Sequence, residues 1–359
     1  MTINPKATIL IPTYKRSHLL NHVLKALTNQ TYQNFEVLVV LKPSGDGTEE
    51  LLENYKRLLN IKVIKQTNGN VIDAINLGIK QVSGEITVFF DDDAVPLPDC
   101  IQAHVDAYSL PNLGGTAGDV ITALIEKNKV VPVNSNPSEL TNYKINPLTT
   151  NIGRKLWNSP INNMDDFFIY ISKAGVVEYL FKDESSANHQ IRDSLLGMGA
   201  NMSVLTKAMD DFYFPQSWIC GISWEQYLGW YLWKKGYRTI FDSNAKVLHI
   251  LQGTSLSRNI RDSRKDLLRW TEYNLTFYRL YGVEPELSIL NRLTWLFFDS
   301  IINIKKMRDE HDFRKQVNCL KSKFYSEIIG LNWVLHMKIG KTFTPQSDLK
   351  KMQQNNGNL

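Results

Sequence analysis

The sequence has few cysteines and no long apolar run. Only three of its 359 residues are cysteine, Cys100, Cys220 and Cys319, and their spacing is not that of a zinc or redox motif. This odd count argues against a disulfide framework and a zinc site. The most apolar later stretch, residues 293–304, is interrupted by Asp299 and is too short to span a bilayer, and the N-terminus shows no cleavable signal. We therefore expect a soluble or peripheral protein that faces the cytoplasm.

A strong charge of either sign is also lacking. The formal net charge is +5 and the isoelectric point is about 8.8, with the lysines and arginines spread along the chain. Nucleic acid is therefore not expected as a partner. The mild basic excess suits an anionic lipid surface or a phosphate-bearing substrate equally well. With 43% hydrophobic residues, the chain is long enough to form a large core.

The first hundred residues alternate between predicted strands and predicted helices. Hydrophobic runs predict strands at 7–12, 35–41, 61–65 and 85–90. One helix is expected to follow Ser17 as its N-cap, a second to begin near Thr48, and a third to cover 71–82. This alternation predicts an α/β fold with a doubly wound, mostly parallel sheet.

The rest of the chain is less regular. Residues 110–165 are rich in Asn, Pro and Gly, so an irregular region is expected there. The periodic pattern returns between 197 and 249, and residues 264–282 are amphipathic, aromatic and basic. The Asn/Gln-rich tail, 344–359, is expected to be disordered.

Three consecutive aspartates, Asp91, Asp92 and Asp93, directly follow the fourth predicted strand and precede a proline-rich turn at 94–98. Doubly wound sheets bind ligands at the carboxyl ends of their strands. Adjacent carboxylates repel one another, and a divalent cation would offset that repulsion. Oxygen ligands suit Mg²⁺ or Mn²⁺, with a diphosphate supplying further oxygens. From these residues alone, a solvated acidic turn is the alternative.

Several blocks resemble, in order, the family 2 type of GT-A glycosyltransferases. The blocks are ATILIPTYKR (7–16), QTYQNFEVLVV (30–40), GDGT (45–48), AINLGI (74–79), SGEITVFFDDDAVP (83–96), GMGANMSVLTKAM (197–209), WEQYLGWYLWKKGYR (224–238) and AKVLHI (245–250). The resemblance implies a GT-A catalytic domain at 1–255, with a nucleotide-sugar-binding half at 1–110 and an acceptor half at 111–255. A helical extension at 256–343, which is a candidate for association with the membrane surface, and a disordered tail at 344–359 would follow.

The resemblance also implies an activity and a site. The chain is expected to transfer a sugar from a nucleotide-sugar donor to a glycan or lipid-linked acceptor, with inversion, by a single displacement that depends on Mn²⁺ or Mg²⁺. Asp91 would contact the donor, Asp93 and His249 would bind the metal, Asp92 would support them, and Glu225 would be the catalytic base. The implied donor-binding residues also include Pro12, Thr13, Tyr14, Arg16 and Lys42, and the implied donor or acceptor contacts are Gly199, Ala200, Asn201 and Trp224.

Each of these roles has a simpler alternative when the residues are considered alone. A single histidine at the end of an apolar strand, such as His249, is more often structural. Glu225 would be an exposed helix carboxylate, and Asp242, the other nearby acid, is interpreted as a turn residue.

The chain departs from the family at several positions. Leu41 and Lys42 replace two aspartates, one of which commonly reads the uracil base. A carboxylate accepts a hydrogen bond from a base N–H, whereas lysine only donates, so the base is left open. Lys42 would instead meet a base carbonyl or a phosphate, or face solvent. Ile75 stands where arginine is common, and Trp224-Glu225 replaces a pair of acids.

The segment 264–282 allows two interpretations. Its aromatic and basic residues suit a helix in a membrane interface, or they pack on the catalytic domain. These residues are Trp270, Tyr273, Phe277 and Tyr278 with Arg264, Lys265, Arg269 and Arg279.

Two other functions are alternatives to glycosyl transfer. Nucleotidyl transfer is disfavoured, because residues 12–16 lack the glycines of a phosphate loop. A non-catalytic relative that binds a sugar nucleotide or a partner glycosyltransferase is suggested by the losses at Leu41, Lys42 and Ile75.

Overall fold

The computed structural model describes residues 4–133, 159–179, 191–215, 218, 221–251, 263–306 and 313–338. The strands within them are β1 (Ala7–Thr13), β2 (Phe35–Leu41), β3 (Ile61–Lys65), β4 (Ile86–Phe90), β5 (Ala94–Pro96), β6 (Leu113–Glu126), β7 (Lys129–Pro132), β8 (Ile169–Ile171), β9 (Val177–Tyr179), β10 (Arg192–Asp193), β11 (Asn201–Leu205) and β12 (Arg238–Ile250). The helices are α1 (Ser17–Leu27), α2 (Thr48–Tyr55), α3 (Val71–Ile79), α4 (Cys100–Ala107), α5 (Trp224–Lys234), α6 (Ser263–Asn274), α7 (Thr276–Leu280), α8 (Ile289–Lys306) and α9 (Phe313–Lys338).

One large sheet organises the molecule. Its main path runs β3-β2-β1-β4-β11-β6-β12-β10, and β5 and β7 pair at its margin with β12 and β6. The first four strands of this path are parallel, and β11 lies antiparallel between β4 and β6. Strands such as β4 are buried along their whole length, which explains their continuous apolar sequence. The predicted α/β fold with a mostly parallel sheet is confirmed.

The start of α1 differs by one residue from the prediction. Arg16, not Ser17, is the N-cap residue, and Ser17 is the first residue of the helix. The Ser17 N–H donates to Asp46 Oδ2 at 3.0 Å, and the Ser17 hydroxyl donates to the Asp46 backbone oxygen at 2.8 Å. Burial acts to raise the pKa of Asp46, but donors on Ser17, Thr48 and Ser44 outweigh it and lower the pKa to about 2. Asp46 thus ties the first turns of α1 and α2 together.

The expected irregular region is wrong for residues 113–132, which form β6 and β7. The glycines that suggested a loop instead allow close contact between strands. A Cβ at Gly118 would lie 2.2 Å from Asn201 Nδ2, and a Cβ at Gly115 would lie 3.1 Å from the Ser203 backbone oxygen. Glycine inside a strand can mark such an approach as well as a break. Residues 134–158 lie outside the described residues.

The aromatic residues of segment 264–282 pack on the protein. The segment forms α6 and α7, and Phe277 and Tyr278 are 3% and 4% exposed. They belong to a second hydrophobic cluster with Ile169 and Leu195, and the Tyr273 hydroxyl donates to the Val177 backbone oxygen. The packing interpretation therefore holds for these side chains. The side chains of Arg264, Lys265 and Arg269 are not described.

Within the described ranges, no helix combines the length and apolar character needed to cross a bilayer. Cys100 and Cys319 are buried thiols without a disulfide. Cys220 and the tail 344–359 lie outside the described residues.

Candidate active site

The aspartate run lies where β4 ends, next to the end of β1. Asp92 and Asp93 are buried, at 5% and 2% exposure, and Asp91 is half-buried. Asp92 accepts hydrogen bonds from Thr13 Oγ1 and Arg16 Nη1, both at 2.8 Å. Arg16 Nη1 also lies 3.0 Å from Asp93 Oδ2. Parallel pairing of β1 with β4 brings these residues together from positions almost 80 apart in sequence.

Arg16 supplies a positive charge that the sequence argument did not anticipate. A divalent cation was predicted to offset the repulsion between the carboxylates, and the Arg16 guanidinium also contacts two of the three. Burial raises the pKa of Asp92, Arg16 opposes this effect, and the charge of Asp93 adds to it. Asp92 thus contacts both Thr13 and Arg16. The supporting role implied for the middle aspartate stays a prediction.

His249 reaches the aspartate run through a strand pairing that the sequence did not reveal. The predicted proline-rich turn at 94–98 is wrong at its start, because residues 94–96 form β5, which pairs antiparallel with β12. Ala94 lies opposite His249, and the Ile250 N–H donates to the Asp93 backbone oxygen at 3.0 Å. This pairing places His249 Nε2 3.1 Å from Asp93 Oδ1.

Asp91, Asp93 and His249 form a group that fits a divalent cation. Their potential ligand atoms all lie within 4.8 Å of one another. Two carboxylates and one imidazole, open to further oxygen ligands from a diphosphate, suit Mn²⁺ and, with more oxygen ligands, Mg²⁺. Asp91 therefore joins the two residues that were predicted to bind the metal.

Glu225 lies in the first turn of α5 and is half-buried, so the alternative of an exposed helix carboxylate is wrong. One carboxylate oxygen, Oε1, accepts the Gly199 N–H at 2.8 Å. Burial raises the pKa of Glu225 to about 7, although the backbone N–H groups of Glu225 and Gly199 act to lower it. The negative charge of Asp91 raises it further, so the two carboxylates are close enough to interact. A carboxylate with a pKa near neutrality is suited to proton transfer.

Gly199 lies so close to Trp224 and Glu225 that this position leaves no space for a side chain. It precedes β11, which runs antiparallel to β4 so that Asn201 lies opposite Phe90. A Cβ on Gly199 would lie 2.6 Å from the Trp224 ring and 3.0 Å from Glu225 Oε1. The segment 199–201 is thus held between the aspartate run and the start of α5.

Asn201 and Trp224 are more deeply buried than we expect for residues that contact the donor or acceptor. Asn201 is fully buried and donates from Nδ2 to the Asp119 and Ala245 backbone oxygens at 2.8 and 2.9 Å. Trp224 is 6% exposed and packs edge-on against Phe89 and Phe214. These contacts are structural, and a contact of either residue with donor or acceptor stays a prediction, as it does for the buried Ala200.

Tyr14 and Lys42 form the other side of the region assigned to the donor. Tyr14 is 39% exposed, and the Lys42 ammonium lies 5.3 Å from its ring centroid. Lys42 Nζ donates to the Gly69 backbone oxygen at 2.8 Å. The lysine thus ties the end of β2 to the segment before α3. Ile75, where a polar donor contact is missing, is buried in α3.

Asp242 is not a turn residue. It lies inside β12 at an irregularity in the pairing with β6, is buried, and accepts the Asn244 N–H at 2.9 Å. Its side chain therefore supports a local bend in the strand.

Sequence reasoning missed a buried ion pair behind α5. Arg279 Nη2 lies 2.8 Å from Glu272 Oε1, and both side chains are fully enclosed. Glu272 Oε2 accepts the Ile222 N–H at 3.0 Å, and the Arg279 guanidinium lies 4.2 Å from the Trp218 ring centroid. The pair thus anchors the residues just before α5 and Glu225. Neither residue lies in a block that resembles the family, so no sequence signal indicated it.

Solved structures share this fold. The mannosyltransferase PcManGT from Pyrobaculum calidifontis, in complex with GDP-Man and Mn²⁺, superposes with a TM-score of 0.54 at 13% identity, over 92% of this chain and 88% of that one. The structure of GalNAc-T7 with UDP, GalNAc and Mn²⁺ superposes with a TM-score of 0.56 at 12% identity, over 91% and 56%. The fold is that of the GT-A glycosyltransferases.

Sequence comparison finds a family match in the first half of the chain. Residues 8–174 match the model described as glycosyl transferase family 2. The match ends before Glu225 and His249.

Curated relatives match over shorter segments. A GalNAc(5)-diNAcBac-PP-undecaprenol beta-1,3-glucosyltransferase of Campylobacter jejuni is 32% identical over 96 residues, 25% of this chain and 30% of the relative. The glycosyltransferase AglE of Haloferax volcanii is 32% identical over 127 residues, 34% and 40% of the two chains. An uncharacterized glycosyltransferase of Rickettsia bellii is 34% identical over 88 residues, 24% and 13% of the two chains. The matches thus span 13% to 40% of these relatives.

Proposed function

We propose that this chain is a metal-dependent, inverting glycosyltransferase that moves a sugar from a nucleotide-sugar donor to a glycan or lipid-linked acceptor in a single displacement. The observation that carries the proposal is one arrangement at the carboxyl end of β4. A cation-binding group, Asp91, Asp93 and His249, lies within electrostatic reach of Glu225, a half-buried carboxylate with a pKa near neutrality.

Glu225 acts as the base in this mechanism. An acceptor hydroxyl is a weak nucleophile, so its proton passes to a carboxylate as the bond to the anomeric carbon forms. The Gly199 N–H fixes Glu225 Oε1, and we assign the acceptor proton to Oε2. A cation held by Asp91, Asp93 and His249 would stabilise the negative charge of the departing nucleoside diphosphate.

The donor would bind against the ends of β1, β2 and β4. We assign Pro12, Thr13, Tyr14, Arg16 and Lys42 to this surface, together with the aspartate run. Nucleoside diphosphates or nucleotide sugars accompany Mn²⁺ in the two structures of the same fold, which supports a donor of this class. The Campylobacter jejuni relative is named for an undecaprenol-linked substrate, which supports a lipid-linked acceptor. We propose that the transfer takes place at the cytoplasmic face of the membrane.

The test is release of nucleoside diphosphate from a panel of UDP-sugars and GDP-sugars, with and without Mn²⁺. Asp93→Asn and Glu225→Gln should each lower turnover by about 100-fold or more, since positioned acid–base groups and cations contribute at least that much. Glu53→Gln removes a carboxylate from the exposed face of α2 and serves as the matched control. Retained turnover in both site variants would contradict the assignment. The anomeric configuration of the product, measured by NMR, tests inversion.

A non-catalytic relative is the second candidate. The observation that favours it is the replacement of donor-binding positions by Leu41, Lys42 and Ile75, of which Leu41 and Ile75 are buried. Calorimetry with the same panel separates the two candidates, because metal-dependent binding of a sugar nucleotide without turnover on a broad acceptor set would support the second.

A further inference from the structure

Helices α8 and α9 each expose an apolar stripe. Every exposed residue among the described side chains of α8 is apolar: Ile289, Leu290, Leu293, Phe297, Phe298, Ile301 and Ile304. Among the described side chains of α9, every exposed residue except Lys321 is apolar: Phe313, Phe324, Ile328, Leu331 and Leu335. Most of these positions are three or four residues apart, so they follow one face of each helix. Exposed apolar side chains grouped in this way on neighbouring positions mark a binding surface.

The opposite faces of both helices are packed on the protein, so the orientation of the stripes is fixed. Arg292 and Trp295 of α8 are 2% and 7% exposed. Arg292 Nε donates to Glu327 Oε1 of α9 at 3.1 Å, and Lys323 of α9 forms an ion pair with Asp299 of α8. These contacts join the two helices behind the stripes, which we call the α8–α9 face.

The charge of this part of the chain indicates what the α8–α9 face contacts. Residues 256–343 contain 16 Lys and Arg against 10 Asp and Glu, a net charge of +6, whereas the whole chain carries +5. The positive excess therefore lies entirely in the segment that carries the apolar face. Lys305 and Lys306 end α8, and Arg314 and Lys315 lie in the first turn of α9, on either side of the connection between the helices.

We propose that the α8–α9 face docks on an anionic lipid bilayer and holds the protein peripherally at its surface. The apolar stripes would enter the boundary between headgroups and acyl chains, while the basic residues meet lipid phosphates. A second copy of the chain would oppose like charges at the same face, which disfavours a dimer there. This surface differs from segment 264–282, whose Phe277 and Tyr278 are buried. Docking of this face on a bilayer does not depend on the proposed glycosyltransferase activity.

Vesicle flotation of the full chain tests the proposal. We compare phosphatidylcholine vesicles with vesicles that also contain phosphatidylglycerol. The protein should float with the anionic vesicles, less with the neutral ones, and less at high salt. The double substitution Phe297→Gln with Leu331→Gln, at positions 62% and 59% exposed, should lower vesicle partitioning at least tenfold. Leu58→Gln is the matched control, because Leu58 is 69% exposed and lies between α2 and β3, outside helices α8 and α9.

Three results would overturn the proposal. The protein fails to float with either vesicle, or the double variant floats as well as the native chain, or the Leu58→Gln control loses as much binding as the double variant. Light scattering measures the oligomeric state. If the native chain forms a dimer that the double substitution abolishes, and does not bind vesicles, the α8–α9 face binds a second copy of the chain and the proposal is wrong. Circular dichroism verifies folding, and Leu290→Gln with Leu335→Gln replaces the first pair if that pair does not fold.

Discussion

At the scale of single residues, Glu225 shows how burial prepares a side chain for chemistry. The first turn of a helix favours a carboxylate, since the helix dipole and backbone N–H groups stabilise negative charge there. Burial outweighs those effects and raises the pKa of Glu225 to about 7. The proposed base would therefore change protonation state in the physiological range.

This raised pKa predicts how stability depends on pH. Because the folded pKa of Glu225 is about 7 and its ordinary value is 4.5, the folded protein favours the protonated form. The stability from this group is fully present below pH 4.5 and is lost as the pH rises through 7. Glu225→Gln has no charge to bury and keeps an acceptor for the Gly199 N–H. Its free energy of unfolding should match that of the native protein at pH 4 and exceed it at pH 8.

Urea denaturation at both pH values, without added metal, checks this prediction. Glu53→Gln, at an exposed position of α2, should show no comparable change with pH. A constant difference between Glu225→Gln and the native protein across this range would show that the carboxylate titrates near its ordinary pKa.

At the scale of secondary structure elements, α6 and α7 hold the segment that leads into α5. Glu272 and Arg279 pair at 2.8 Å without solvent access, and Glu272 also accepts the Ile222 N–H. Trp218 closes the arrangement, because its Nε1 donates to the Ile222 backbone oxygen at 3.1 Å. Helices outside the blocks that resemble the family thus hold the backbone that precedes the proposed base.

Substitutions in the Glu272–Arg279 ion pair should affect the stability of the protein and its turnover to different extents. Arg279→Met leaves Glu272 buried without its partner and should destabilise the protein by about 3 kcal/mol. Adding Glu272→Leu removes the uncompensated charge and should restore much of that loss. The double variant should nevertheless remain impaired in turnover, because the Ile222 N–H has lost its acceptor.

A double-mutant cycle in urea denaturation, together with turnover under saturating donor, measures both effects. Glu272→Gln keeps an acceptor oxygen for Ile222 and should retain more turnover than Glu272→Leu. Equal turnover in those two variants would mean that the hydrogen bond does not position Glu225.

At the scale of the whole molecule, one sheet assembles the site from distant segments. Parallel pairing of β1 with β4 brings Arg16 to the aspartate run, antiparallel pairing of β4 with β11 brings Gly199, and pairing of β5 with β12 brings His249. The proposed cation site exists only when these pairings form. Cation binding should therefore be linked to folding of the entire sheet.

This linkage predicts stabilisation by metal. At 100 times its dissociation constant, a cation that binds only the folded state stabilises it by about 2.7 kcal/mol. Mn²⁺ should raise the melting temperature of the native protein and do so more strongly with a nucleoside diphosphate present. His249→Gln, which removes the imidazole ligand, should reduce the shift, whereas His18→Gln, at an exposed position in α1, should not. Differential scanning fluorimetry measures the effect, and equal shifts in all three proteins would place the metal elsewhere.

Much of the framework followed from local sequence. The strands at 7–13, 35–41, 61–65 and 86–90 were predicted to within a residue, because short apolar-rich segments flanked by turn residues are a local property. The Asp91–Asp93 run could be placed at a strand end for the same reason. The order of the resembling blocks along the chain likewise indicates the resemblance to family 2 from sequence alone.

Tertiary structure alone decided the rest. Whether glycines at 114–118 form a loop or a tightly packed strand depends on Asn201 and Tyr237, which are distant in sequence. Arg16 as the partner of Asp92 and Asp93, and Glu272 as the anchor before α5, arise from contacts across the molecule. Burial, pKa and metal-site geometry are properties of how elements pack. The sequence therefore determined which residues could carry the chemistry, and the packing of the sheet and helices determined which of them meet.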